Sequence, residues 1–216
     1  MSDIARTVRA LASAIETPPL SYGLEPLSPA LAVLTCLLSI DGRSGEYIDQ
    51  RISALQSPTP GYGLLASVRG YAEIFPSPVE YFQVDLRDPG KQAHLLLPIL
   101  DALIDGQRDF EGATEADRVR AWAEAARPSE WNFPAFRGLR LKGFQELRAL
   151  LGANTIIPKK EHVAFVATVL GRKVDVLEAL YLLERAAGRL RYNLNSIPES
   201  VWMAKDSSES SRTTVA

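Results

Sequence analysis

Eleven lysines and arginines stand between residues 137 and 191 against five acids, a local net charge of +6, whereas residues 1–108 carry eight against twelve. Cations at that density suit phosphates, so the stretch is a candidate nucleic-acid footprint, although solvated helix faces give the same composition. Within it the run Phe136-Arg137-Gly138-Leu139-Arg140-Leu141-Lys142-Gly143-Phe144-Gln145 sets glycines among cations. Glycine lets backbone N–H groups approach a phosphate closely. Other chemistry is scarce. Cys36 is the single cysteine, in the apolar run Leu34-Thr35-Cys36-Leu37-Leu38, which excludes an internal disulfide and a cysteine-ligated cluster and suits a small buried side chain. His94 and His162 lie far apart, which removes most histidine-dependent metal or nucleophile chemistry, and no metal site or cofactor is expected.

Three weaker groupings have ordinary readings beside their chemical ones. Asp101 and Asp105 share a helix face at i and i+4, a spacing open to acid–base work but commoner on a solvated face. Trp122, Trp131, Phe133 and Phe136 could stack on a base or simply fill a core. Gly61-Tyr62-Gly63 reads as a turn, since no Gly-Lys-Ser/Thr follows to cradle a phosphate.

Helices must position these residues. Ser28-Pro29 opens an almost continuous apolar run from Ala30 to Ile40, ended by Asp41-Gly42, which predicts a buried central helix. Ser44 opens a helix to about Gln56, Asp88-Pro89 one over 90–105, and Thr114 with Asp117 one over 115–126. Further helices follow over 143–151 and 158–170, joined by Gly152-Ala153-Asn154-Thr155. Asp175 and Glu178 open the last long one, to about Arg191. Ile4, Val8, Leu11 and Ile15 mark an N-terminal helix within residues 1–17. The segment 71–84 has strand-like composition, but Pro76 and Pro78 turn it towards short helices and turns. The chain is therefore expected to be all-α.

With 216 residues, 46% hydrophobic and 23% charged, the chain is long enough for a proper core. It contains no run of about 18 apolar residues, and Met1-Ser2-Asp3-Ile4-Ala5-Arg6 lacks a compact apolar region, so a cytoplasmic protein without a membrane partner is expected. The expected organisation is one helical domain over 1–204, with an N-terminal helix and linker (1–27), a middle block ending in the hairpin (28–142) and C-terminal helices (143–204). The polar segment 205–216 reads as a disordered tail.

The stretch from Ser28 to Trp202 resembles the helix-hairpin-helix base-excision DNA glycosylases, of endonuclease III-like type without the iron–sulfur loop. The family's Gly-Val-Gly-x-Lys turn aligns on Gly138-Leu139-Arg140-Leu141-Lys142, with Arg140 replacing the second glycine. Leu37-Leu38-Ser39-Ile40-Asp41 is similar to a base-pocket turn, without its glutamine. The resemblance implies two interleaved helical subdomains and a duplex-DNA partner, damaged or abasic. It implies Lys142 as the amine that attacks the deoxyribose and forms a Schiff base. Gly138, Arg140, Gly143, Gln145, Arg148, Lys159 and Lys160 would face DNA. Thr155-Ile156-Ile157-Pro158-Lys159-Lys160-Glu161 aligns on the family's Thr-Val-x-Pro-Asp-x-His, which sets Lys159 where the catalytic aspartate belongs. A cation there turns attraction for a cationic sugar transition state into repulsion. The implied role is base-excision repair by flipping a damaged base. The alternatives are a relative that binds DNA or protein without cleaving, and an unrelated helical interaction module.

Overall fold

The computed structural model describes residues 2–15, 27–56, 64–74 and 89–203. Among the described residues every regular element is helical, as an all-α chain requires. The α-helices are α1 Asp3–Ala14, α2 Pro29–Ile40, α3 Gly45–Gln56, α4 Leu65–Ile74, α5 Pro89–Gly106, α6 Glu115–Ala125, α7 Arg140–Leu150, α8 Lys160–Leu170, α9 Val176–Leu190 and α10 Glu199–Trp202. Short 3-10 turns lie at Gln107–Asp109, Pro128–Asn132, Arg137–Leu139 and Leu194–Ser196. The expected turn at residues 61–63, the opener Asp88, the break after residue 17, the 75–84 segment and the tail at 205–216 lie outside the described residues.

Local chemistry explains the helix starts. Ser2 Oγ accepts from Ala5 N, Asp175 accepts from Glu178 N at 2.8 Å, and Thr114 and Asp117 cap each other's backbone at 3.0 and 3.1 Å. Each satisfies donors that the first helical turn leaves without partners. Ser28 makes no side-chain cap bond; Pro29, lacking an N–H and with φ already fixed, starts α2 instead. α7 begins at Arg140, three residues earlier than its sequence suggests, and α8 begins after Lys159 rather than at Pro158.

The chain divides into two compact units, Gly23–Ile157 and the combination of Met1–Tyr22 with Pro158–Ala216. In the central unit α2 is buried along nearly its whole length, and α3, α5 and α7 pack around it. Leu34, Leu37 and Leu38 meet a core containing Leu96, Leu100, Phe144 and Leu147. In the terminal unit α1 packs on α9 and α8, with Leu11, Val166, Leu180 and Leu183 inside. Burial of Phe144, Leu147 and Leu151 in the central core keeps all of α7 in that unit.

Candidate nucleic-acid interface

The hairpin segment is built from tight turns. Phe136 N and Arg137 N both donate to Phe133 O at 2.9 Å, and Leu139 N donates to Phe136 O at the same distance. Phe136 and Leu139 are buried, and Phe136 joins Trp122 and Phe144 in a ring cluster with centroids 5.1 to 6.5 Å apart. These aromatics are core. The resemblance implies an α-helix on each side of the turn; here 3-10 turns precede it and only α7 follows as an α-helix.

At the junction Arg140 has φ 57° and ψ 174°. That region is essentially glycine territory, because a Cβ crowds the backbone there. It is the position at which the family motif carries its second glycine. Gly138, by contrast, is spared a side chain for packing: a Cβ would stand 2.0 Å from Leu95 Cδ2. Gly143 is also a packing glycine, buried where α2 crosses α7, with Ile40 Cδ1 3.1 Å from the place of a Cβ. The closeness lets Cys36 Sγ donate to Gly143 O at 3.2 Å. Burial, with the nearby Glu146 charge, pushes the Cys36 thiol far above its usual range and leaves it inert.

The cations of the segment separate by direction. Arg137, Arg140 and Lys142 are exposed, and among the described residues none of them forms an ion pair. Gln145 and Arg148 are fully buried, at 0% and 2% exposure, so the expectation that they face DNA is corrected. Arg148 Nε donates to Ala123 O at 3.0 Å and Nη1 to Gln145 Oε1 at 2.7 Å, while Gln145 Nε2 donates to Thr155 Oγ1 at 2.7 Å. Ala123 O is among the last carbonyls of α6, which lack helical partners, so the guanidinium closes that helix end. A buried guanidinium persists only when its N–H groups find acceptors in this way. Gly143 is corrected likewise: it serves the crossing of two helices rather than a phosphate.

Behind Lys142, Ser39 Oγ donates to Glu146 Oε2 at 3.0 Å. Desolvation raises the Glu146 carboxyl above the usual glutamate range, against the Ser39 hydrogen bond and the Lys142 charge. Sequence reasoning passed over this pair; the signal was available, since Glu146 lies one helical turn after Lys142.

Lys159 precedes α8 in the terminal unit. Its Nζ is 2.9 Å from Glu199 Oε1, and that bond holds the ammonium above the usual lysine range and the Glu199 carboxyl below its own. Lys159 N donates to Nδ1 of the buried His162 at 3.2 Å, and His162 N returns a bond to Lys159 O. The His162 ring meets Trp202 edge-on at 4.9 Å. Lys160 is exposed on the first turn. Asp101 and Asp105 each engage an arginine, Arg69 and Arg108 respectively, as solvated ion pairs. Among the described residues no three His, Cys, Asp or Glu side chains group as metal ligands would, and no helix is long and apolar enough to cross a membrane.

No family model, curated protein or solved structure matches the chain.

Proposed function

We propose that this chain is a duplex-DNA-binding protein of the helix-hairpin-helix glycosylase type, using residues 137–142 as its phosphate-contacting hairpin. The observation that carries the reading is the backbone at Arg140, which adopts a glycine conformation at the place where the family motif carries glycine. Around that turn stand the exposed cations Arg137, Arg140 and Lys142, able to meet successive phosphates. The first N–H groups of α7 have no side-chain cap, and a helix start of that kind favours an anion.

The same reading separates binding from cleavage. A sugar that loses its base passes through a cationic state, and the family stabilises it with an aspartate. In the sequence alignment Lys159 stands in place of that aspartate, and its bond to Glu199 holds it charged, which speaks against ordinary glycosylase chemistry. Abasic-site lyase chemistry is the second reading. It needs only the Lys142 amine, a carbonyl carbon on the opened sugar and a proton acceptor, and Glu146 one turn away favours it. Damaged or abasic duplex is the partner in either case, within base-excision repair.

The test is binding to an abasic duplex across a salt series, with borohydride trapping in parallel. Each exposed cation that meets a phosphate should contribute about one unit to the slope of log affinity against log salt, and Arg137→Ala, Arg140→Ala and Lys142→Ala should each remove about that much. No trapped complex is expected. A complex that disappears in Lys142→Ala would replace the binding reading with the lyase one, and absence of binding at low salt would sink the DNA assignment.

A further inference from the structure

Four aromatics lie near the hairpin, and they part company in the structure. Trp122 and Phe136 are buried, and Trp131 is half-buried against the central core, but Phe133 is 55% exposed. Its ring is nonetheless rigidly mounted. Phe133 N donates to Glu130 O at 2.9 Å, and Phe133 O accepts from Phe136 N and Arg137 N, so the backbone is fixed on both sides. Two χ angles are all the freedom that remains, and an aromatic so held loses little entropy on contact.

The surroundings are cationic. Arg137 Nη2 donates to Asn132 O at 3.2 Å, which folds its guanidinium back to the residue preceding Phe133. Arg127, Arg137, Arg140 and Lys142 are exposed within the segment 127–142, whose one acid, Glu130, bonds Arg127 N at 3.1 Å. An exposed flat ring among cations that neutralise phosphates is the arrangement by which proteins hold unpaired nucleotides. Leu64 beside α4 and Ile74 at its end are also exposed but are aliphatic and offer no ring to a base.

We propose that Phe133 is a stacking platform for an unpaired DNA base, so that the hairpin surface prefers distorted or single-stranded DNA over intact duplex. The proposal rests on the DNA-binding reading above and adds the class of DNA that the surface selects. Arg137 and Arg140 hold the flanking phosphates while the ring takes the base that has left the stack. Stacking is indifferent to base identity, because every base has a π-face, so the preference is for unpaired geometry rather than sequence.

The experiment is fluorescence anisotropy of the full chain with an intact duplex, the same duplex carrying a central bubble, and the single strand. Wild type is compared with Phe133→Ala, Phe133→Leu and Phe133→Trp. The expected result is a loss of about tenfold or more in Ala and Leu on bubble and single strand, with Trp retaining affinity. On intact duplex all four should agree within about twofold, since phosphate contacts dominate there. Equal losses on all three DNAs, or none on any, would overturn the role of Phe133 while leaving hairpin binding intact. Failure of the wild type to bind any of the three at low salt would overturn the DNA reading and this proposal together. Phe133 is exposed, so its variants should fold, and matching circular dichroism spectra would establish that.

Discussion

The starts of α7 and α8 flank one stretch of basic sequence, yet they are built on opposite terms. α8 begins with a reciprocal pair of bonds between Lys159 and the buried His162, and with a cation paired to Glu199. α7 begins with no side-chain cap, an arginine in a glycine conformation, and cations that form no ion pair among the described residues. Where a helix start serves the fold, its donors and charges are satisfied internally. Where strain and unpaired charge are left standing, a partner is the natural place for their compensation.

The strain at Arg140 persists because the second and third turns of α7 are firmly anchored, and the largest predicted effect attacks that anchor. Arg148→Ala removes the guanidinium from Ala123 O and from Gln145 Oε1, and leaves Gln145 and the end of α6 buried without it. Removing a side chain of this size from the core and leaving its buried acceptors unsatisfied costs roughly 3–5 kcal/mol. Urea unfolding of the variant should show that loss. A change under about 1 kcal/mol would mean that the core of α7 holds without its polar network, and the comparison would lose its physical basis.

The second prediction tests the α8 side. His162→Ala removes the acceptor for Lys159 N and the ring contact with Trp202, with an expected loss of about 2 kcal/mol at pH 7.5. Desolvation, reinforced by the Lys159 charge and opposed by Glu161 and Glu199, lowers the His162 pKa below its usual 6.5. The folded state therefore keeps the ring neutral while the unfolded chain takes up a proton. Stability that is complete above about pH 6.5 is lost as pH falls below it, towards the folded pKa. His162→Gln keeps an acceptor at that position and does not titrate, so unfolding followed between pH 7.5 and 5.5 should be flatter for it than for wild type. An equal slope in both would assign the acid sensitivity to other groups.

These outcomes bear on how much was legible in the sequence. The caps at Thr114–Asp117 and Asp175–Glu178 were readable because each is a bond across three residues, specified by the residues themselves. The inward turn of Arg148 was also written there. Phe144, Leu147, Arg148 and Leu151 fall at i, i+3, i+4 and i+7, the core stripe of a helix, whereas the family resemblance points Arg148 at DNA. The partner that makes burial tolerable, Ala123 O, lies 25 residues away and has no local signature. Similarly, Lys159 gave no sign of Glu199, 40 residues on, whereas His162 at the third position of α8 matched the spacing of a reciprocal cap. Gly138 and Gly143 were visible as glycines but not as packing glycines, since that depends on Leu95 and Ile40 arriving from other helices.

The smallest effect discriminates most sharply. Arg140→Gly should relieve a backbone strain of about 1–3 kcal/mol, less the roughly 0.5–1 kcal/mol that glycine's freedom in the unfolded chain takes back, for a net gain near 1 kcal/mol. Arg140→Ala keeps the strain, because alanine's Cβ meets the same backbone, and loses the charge. If the hairpin binds DNA through this side chain, both variants lose the same affinity and the same unit of salt slope, and only the glycine variant becomes more stable. Stability and binding then move in opposite directions at one position, which is the signature of strain retained for a contact. If the glycine variant gains stability with no loss of binding, the arginine is only a burden on the turn, and the contrast between the two helix starts reflects packing alone.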